Sequence, residues 1–275
     1  MDLAERPIVI TGGGTGIGAA AAQACAAAGM PVCIAGRRAE PLQRTVAAIK
    51  DAGGQCIGMP LDVTDADHAA MLLDAATEAF GPPWAVFANA GRGLDRPAHR
   101  TTEAELRELF EVNFFATCRL LNIAADRMLD AQSGGHLLAC SSCVAKFSVP
   151  YHAAYAATKA SQDLYCQSMR LELVSAGIHV STVHPITTTT EFFDVSAGVS
   201  GRSDAPTGLD LTPRWFQQSP ERVAKAIVKC LRKPRPEVWT SKLVRMTSAI
   251  RTLWPTVMDW QFRRMLDADR LHRGS

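Results

Sequence analysis

Tyr155 and Lys159 stand four residues apart in the segment Tyr151-His-Ala-Ala-Tyr155-Ala-Ala-Thr-Lys159. On a helix, positions i and i+4 share a face, so a phenol would sit beside an ammonium. A free phenol has a pKa of ~10, and a fixed positive charge beside it favours the phenolate. Such a pair is expected to pass protons near neutral pH. With three tyrosines in 275 residues, the spacing alone arises by chance about one time in thirteen. The elements around it must decide.

A second candidate lies near the N-terminus. Thr11-Gly-Gly-Gly-Thr-Gly-Ile-Gly18 follows an apolar run and precedes an alanine-rich stretch. Glycines at a strand–helix turn let the backbone approach a pyrophosphate, which the helix N-terminus then favours. Gly12, Gly14, Thr15, Gly16, Ile17 and Gly18 are the candidate contacts, although Gly12-x-x-x-Gly16-x-Gly18 differs from the G-x-G-x-x-G spacing. The next apolar run ends in Ala35-Gly36-Arg37-Arg38. An acidic residue there would accept from a ribose 2′-OH, whereas arginine suits a 2′-phosphate. Arg37 and Arg38 therefore point to NADP(H), with NAD(H) as the alternative. Cys140-Ser-Ser-Cys143 has no second cysteine pair or histidine pair at ligand spacing, so no metal is expected.

Stepping along the chain, seven short apolar runs alternate with helical patterns. The runs are Pro7–Thr11, Pro31–Ala35, Cys56–Leu61, Trp84–Asn89, Gly135–Cys140, His179–His184 and Pro236–Thr240. They are continuously apolar, as strands buried on both faces are. Helical spacing marks Glu40–Ala52, Asp65–Phe80, Thr102–Asp130, Ala153–Ala176 and Pro220–Arg232, and Gly29, Gly53 and Gly177 follow helical runs as C′ residues. This alternation predicts an α/β fold: a doubly wound, three-layer sandwich around a mostly parallel seven-stranded sheet. Residues 1–240 read as one domain, with a Gly- and Pro-rich substrate loop at about 187–216.

Taken in order, these motifs resemble the short-chain dehydrogenase/reductase family, in its shorter single-domain branch. Thr11-Gly12-x-x-x-Gly16-Ile17-Gly18 and Tyr155-x-x-x-Lys159 carry the resemblance, over about residues 7–240. Asp62-Val63, Asn89-Ala90-Gly91, Asn113 in Glu-Val-Asn-Phe, and Ser141-Ser142 match further motifs. The resemblance implies a Rossmann-like fold and a catalytic set of Asn113, Ser142, Tyr155 and Lys159. It implies that Asp62 and Val63 contact adenine and that Asn89, Ala90 and Gly91 border the cofactor. Hydride would add to a carbonyl carbon while Tyr155 protonates the oxygen and Ser142 orients it. Lys159 would hold the tyrosine's pKa down and bond the nicotinamide ribose, and Asn113 would hold a water linking Lys159 to solvent. Pro185, Thr188 and Thr190 would also touch the cofactor. The chain departs from the family pattern at Ile186, where the family has glycine after proline. A catalytically silent dinucleotide-binding regulator on the same fold is the rival reading.

Cys143, Phe147, His152, Phe192 and Trp215 join Ser142 as candidate substrate contacts, in an apolar pocket that suits a lipophilic ketone or secondary alcohol. A net charge of +2 implies no attraction to nucleic acid. Eight scattered cysteines and the lack of a signal segment or long apolar run imply a reduced, cytoplasmic protein. Residues 241–275 carry seven Lys/Arg against three Asp, interleaved with apolar side chains, and Pro255 splits them into two helices. This extension packs on the cleft or on another subunit of a homodimer or homotetramer, or lies on a membrane surface as a peripheral contact.

Overall fold

The seven apolar runs form seven strands. β1 (Ile8–Thr11), β2 (Val32–Gly36), β3 (Cys56–Pro60), β4 (Ala85–Ala88), β5 (Gly135–Cys140), β6 (Ile178–His184) and β7 (Glu237–Trp239) lie in the order β3-β2-β1-β4-β5-β6-β7. This computed structural model describes residues 1–147, 149–200, 212, 216–254 and 256. Every pairing between these strands is parallel, Ile8 lying opposite Ala85 and Gly135 opposite Ile178. Each residue of β1, β4 and β5 is buried, because helices cover both faces of the sheet.

On one face, α1 (Gly16–Ala27), α2 (Ala39–Asp51) and α8 (Pro220–Arg232) close a core with the sheet through Ala21, Leu42, Ile49, Val223 and Ile227. The small side chains of α1 let α8 pack closely over it. On the other face, α3 (His68–Phe80), α5 (Ala116–Asp130) and α6 (Ala153–Leu173) bury Leu72, Leu121, Cys166 and Met169. Gly29, Gly53 and Gly177 have φ of 86°, 81° and 70°, the conformation expected after a helix end. All eight cysteines are free and buried. No helix of the described residues is long and apolar enough to cross a membrane.

Three expectations change. The helix predicted over Thr102–Asp130 is α4 (Glu103–Phe110), one π-helical turn (Glu111–Phe115) and α5. The capping box of Thr102 and Glu105 starts α4, but the inserted π residue is invisible to hydrophobic periodicity. The third and fourth strands end at Pro60 and Ala88, each one residue short of its apolar run, and Asp62-Val63 and Asn89-Ala90-Gly91 follow them. The stretch 187–216 is not wholly irregular, since α7 (Phe192–Val199) forms within it. Its residues 201–211 and 213–215, Trp215 among them, lie outside the described residues. After β7, α9 (Lys242–Leu253) buries Val244 against Cys143 and Ile186. The split at Pro255 lies outside the described residues.

Candidate active site

Strand order reverses between β1 and β4, where open α/β sheets place their ligand crevice. Here the two strand ends are stitched together. Thr11 Oγ1 accepts from the backbone N–H of Asn89 and of Ala90, at 3.0 and 3.1 Å. Asn89 Nδ2 donates to the carbonyls of Thr11 and Gly12, at 3.0 and 3.3 Å. Above this seam opens a cleft of about 1090 Å³. Every residue singled out for cofactor contact lines it, with Gly18 as the exception. A Cβ on Gly18 would stand 2.0 Å from the Gly12 carbonyl oxygen, so close packing beneath the loop is what requires glycine there.

At one end of the cleft Arg37 is exposed and Arg38 donates to Glu191 Oε2 at 2.6 Å. Asp62 lies nearby. Hydrogen bonds from Thr64, with the charge of Arg37 contributing, hold its carboxyl below the usual carboxylate range. In the middle, the N-terminus of α1 meets the cleft through Gly16 and Ile17. Thr190 sits against Gly16, where a Cβ would come within 3.0 Å of its methyl group.

The four polar residues of the sequence motif converge at the other end. Ser142 follows β5, where its hydroxyl accepts from the Val144 N–H at 3.3 Å and stands close enough to the Tyr155 hydroxyl to act on its pKa. Lys159 is buried on α6, its Nζ 5.7 Å from the centre of the Tyr155 ring. That Nζ donates to the Cys140 carbonyl at 2.7 Å, leaving two further N–H donors on an ammonium. Asn113, in the π turn, is fully buried. Its amide clasps Arg92 through both backbone groups, at 2.9 Å each, and donates to Thr158 Oγ1 at 3.0 Å. Gly91 lies over both Asn113 and Lys159: a Cβ there would stand 3.0 Å from Asn113 Oδ1 and 3.5 Å from Lys159 Nζ.

The expectation that Lys159 holds the phenol down is not met by this arrangement. Burial pushes the Tyr155 hydroxyl above its ordinary value, and the Ser142 hydroxyl only opposes it. Burial likewise pulls the Lys159 ammonium down, against Cys140 and Asp163. Desolvation is the largest influence on both members of the pair and disfavours the charged form of each.

The family described as short chain dehydrogenase matches residues 6–197. Dehydrogenase/reductase SDR family member 7B of Danio rerio is 31% identical, over 99% of this chain and 88% of its own. 3beta-hydroxysteroid dehydrogenase 1 of Eggerthella lenta is 32% identical, over 82% and 86%. The chain belongs to the short chain dehydrogenase family. Its fold matches the crystal structure of a short chain dehydrogenase/reductase from Burkholderia phymatum in complex with NAD, at a TM-score of 0.84 and 22% identity over 94% and 96% of the two chains. This short chain dehydrogenase is an oxidoreductase of the CH–OH/C=O couple that uses NAD(P).

Beyond Tyr155 the enzyme's cleft is apolar. The Phe192 ring tilts against that of Tyr155 with centroids 5.5 Å apart. Cys143, Phe147 and His152 line the same wall, and His152 is held by the Pro150 carbonyl at 3.0 Å and Asp95 at 3.1 Å. Ile186, at the family's glycine position, is buried among Cys143 and Val244 with Phe216 and Trp239 against them. It gives up backbone freedom for an apolar anchor that seats α9. Thr188 still reaches the cleft, but its hydroxyl is engaged by the Ile186 carbonyl at 2.8 Å and by Gln218 at 3.1 Å.

Several site residues carry no sequence signal of their own. Thr11 opens the glycine motif, but nothing there writes its bonds to Asn89 and Ala90. Gln162 donates to the Asn113 carbonyl at 2.6 Å, and only its position three residues past Lys159 hinted at a shared helix face. Leu243 and Ile250 of α9 line the cleft, which the tail's amphipathic pattern left open among three surfaces.

Proposed function

We propose that the enzyme is an NADP(H)-dependent reductase or dehydrogenase of lipophilic ketones and secondary alcohols, with residues 1–240 as its catalytic domain. The observation that carries this reading is the convergence of Ser142, Tyr155 and Lys159 between a phosphate-ready glycine loop and an apolar wall in one cleft. The cleft fits a dinucleotide. A helix N-terminus faces its middle, Arg37 stands exposed at one end, and a buried ammonium with donors to spare stands at the other. When bound, the nicotinamide supplies or accepts the hydride. Tyr155 gives its proton to the substrate oxygen in reduction and takes one in oxidation. Ser142 donates to that same oxygen and orients it. Lys159 holds the ribose hydroxyls with its remaining donors, and Asn113 fixes the chain at Arg92 and the Gly91 backbone above that ammonium.

Selectivity for NADP(H) rests on Arg37, which is exposed at the cleft, while Arg38 is tied to Glu191. The named activities of the relatives, a steroid dehydrogenase and a ketoacyl reductase of Nostoc sp. at 27% identity over 95% of this chain and 89% of its own, fit the apolar wall. The test is a panel of aliphatic, alicyclic and steroidal ketones and alcohols with each nicotinamide pair, following reduced-nicotinamide absorbance. Turnover of apolar members with NADPH is expected. Tight NADPH binding without turnover of any member would favour the regulator.

The same helix that seats on Ile186 turns a second face outward. Met246, Leu253 and Trp254 are exposed, and Lys242, Arg245 and Arg251 make no ion pair among the described residues. Apolar side chains flanked by unpaired cations suit an anionic lipid surface. Sedimentation with vesicles containing phosphatidylserine, but not with neutral vesicles, is the expected result. A concentration-dependent dimer that Met246→Asp dissociates would instead assign this face to a second subunit.

A further inference from the structure

The peptide joining Ser142 to Cys143 is gripped on both edges by two consecutive residues at the end of β6. His184 Nδ1 lies 3.1 Å from the Ser142 carbonyl oxygen. On the opposite edge, the Cys143 N–H donates to the Pro185 carbonyl, also at 3.1 Å. A carbonyl only accepts, so Nδ1 carries the proton. Nε2 is then the acceptor for the Thr182 hydroxyl, 2.9 Å away. Burial pulls the His184 pKa below its ordinary value, in keeping with a neutral ring of this single tautomer.

The ring is itself held. It is fully buried and stacks on the Trp239 indole, centroids 4.5 Å apart and planes within 10°. Charged groups face it from three elements. Asp163 Oδ1 of α6 is 3.7 Å from Nε2. Lys146, four residues past Ser142, binds both Asp163 and Glu237 of β7, at 2.9 Å each. The segment that carries Ser142 is therefore anchored to α6, β6 and β7. His184 is the anchor nearest the serine.

We propose that His184 is a positioning residue for Ser142: its Nδ1–H fixes the Ser142–Cys143 peptide plane and so aims the Ser142 hydroxyl at that of Tyr155. This rests on the reading of Ser142 and Tyr155 as the groups that handle the substrate oxygen. Serine has a single side-chain torsion before its oxygen, and the Val144 N–H donates to that oxygen at 3.3 Å, so the peptide plane and this bond together decide where the oxygen lies. Misplacing a reacting group by about 1 Å can cost on the order of 10²-fold in rate. The motif does not show this link, because His184 and Ser142 are 42 residues apart.

Two variants separate the hydrogen bond from the packing. His184→Phe keeps a flat ring on Trp239 and removes the donor. His184→Asn keeps a side-chain N–H near the place of Nδ1 and removes the stack. The expected result is a kcat lowered about tenfold or more in His184→Phe, with KM for the nucleotide within about twofold and melting temperature held. His184→Asn is expected to keep kcat within about threefold while melting lower. Crystal structures of both variants read the Ser142 position independently of activity. The hydroxyl should leave Tyr155 in His184→Phe and stay in His184→Asn. An unmoved Ser142 in His184→Phe, or equal loss of kcat in both variants, overturns the proposal. A displaced Ser142 with unchanged turnover upholds the positioning and overturns the catalytic reading of Ser142 beneath it.

Discussion

Tyr155 is desolvated, close to the Ser142 hydroxyl and flanked by a lysine that points to a backbone carbonyl. If its proton is the one exchanged with substrate, Tyr155→Phe removes the acid–base hydroxyl and its approach to Ser142, while the ring still packs on Phe192. Turnover should fall by at least about 10²-fold, with nucleotide binding unchanged by fluorescence titration. Normal turnover in that variant would refute the assignment. The two arginines at the other end of the cleft should differ from each other. Arg37→Ala is expected to weaken NADPH about tenfold and NADH far less, since only the former offers a 2′-phosphate. Arg38→Ala should have the smaller effect on NADPH, because that side chain is already paired with Glu191. Equal losses for both nucleotides would show that Arg37 reads no phosphate. The chemistry of these residues was legible from type and spacing. Their protonation energetics were not: an i, i+4 pair states who is adjacent, whereas burial decides what adjacency is worth.

Among the elements, the strands were the most legible and the helix interiors the least. A strand buried on both faces writes itself as an unbroken apolar run, and β5 was read to its observed ends. The π turn that carries Asn113 was not, because one extra residue in a 29-residue helical pattern barely disturbs its period. Nor was α7, whose eight residues are too few to establish a helical period. The end of β6 shows how a departure from a family pattern is absorbed. Ile186 fills the space beneath α9, and truncating it should cost on the order of 2 kcal/mol, at the low end for a buried Ile→Ala change because half-exposed neighbours can close in. Chemical denaturation of Ile186→Ala checks the magnitude. Limited proteolysis should cut first near α9. Unchanged stability would mean that α9 is held by other contacts.

For the whole molecule, a buried histidine and a half-buried carboxylate shape the response to acid. His136 is fully enclosed, bonded to Ser181 at 2.8 Å, and burial together with the neighbouring His179 brings its pKa down from 6.5 to about 3. Between those values the unfolded chain takes up a proton that the native ring refuses, so stability is complete above pH 6.5 and declines as pH falls toward 3. Burial alone would raise Glu237, but hydrogen bonds from Lys146 and Trp239 outweigh it and bring the carboxyl to about 2. Its contribution is present above pH 4.5 and is lost as pH falls toward 2. The melting temperature should therefore begin to drop below pH 6.5, earlier than carboxylates alone would allow, and His136→Asn should flatten that first portion. A melting temperature constant from pH 7 to pH 5 would contradict it.

The sequence by itself determined the seven strand runs of a parallel sheet and the positions of the glycine loop and the Tyr155–Lys159 pair, because each is written in residues that are near one another along the chain. Only the tertiary structure decided that Gly91 lies over both Asn113 and Lys159, that His184 grips the Ser142 peptide, that α9 walls the cleft through Ile186, and that desolvation is the largest influence on the phenol. Those are contacts across tens of residues, and a group's solvation depends on whatever the fold places over it.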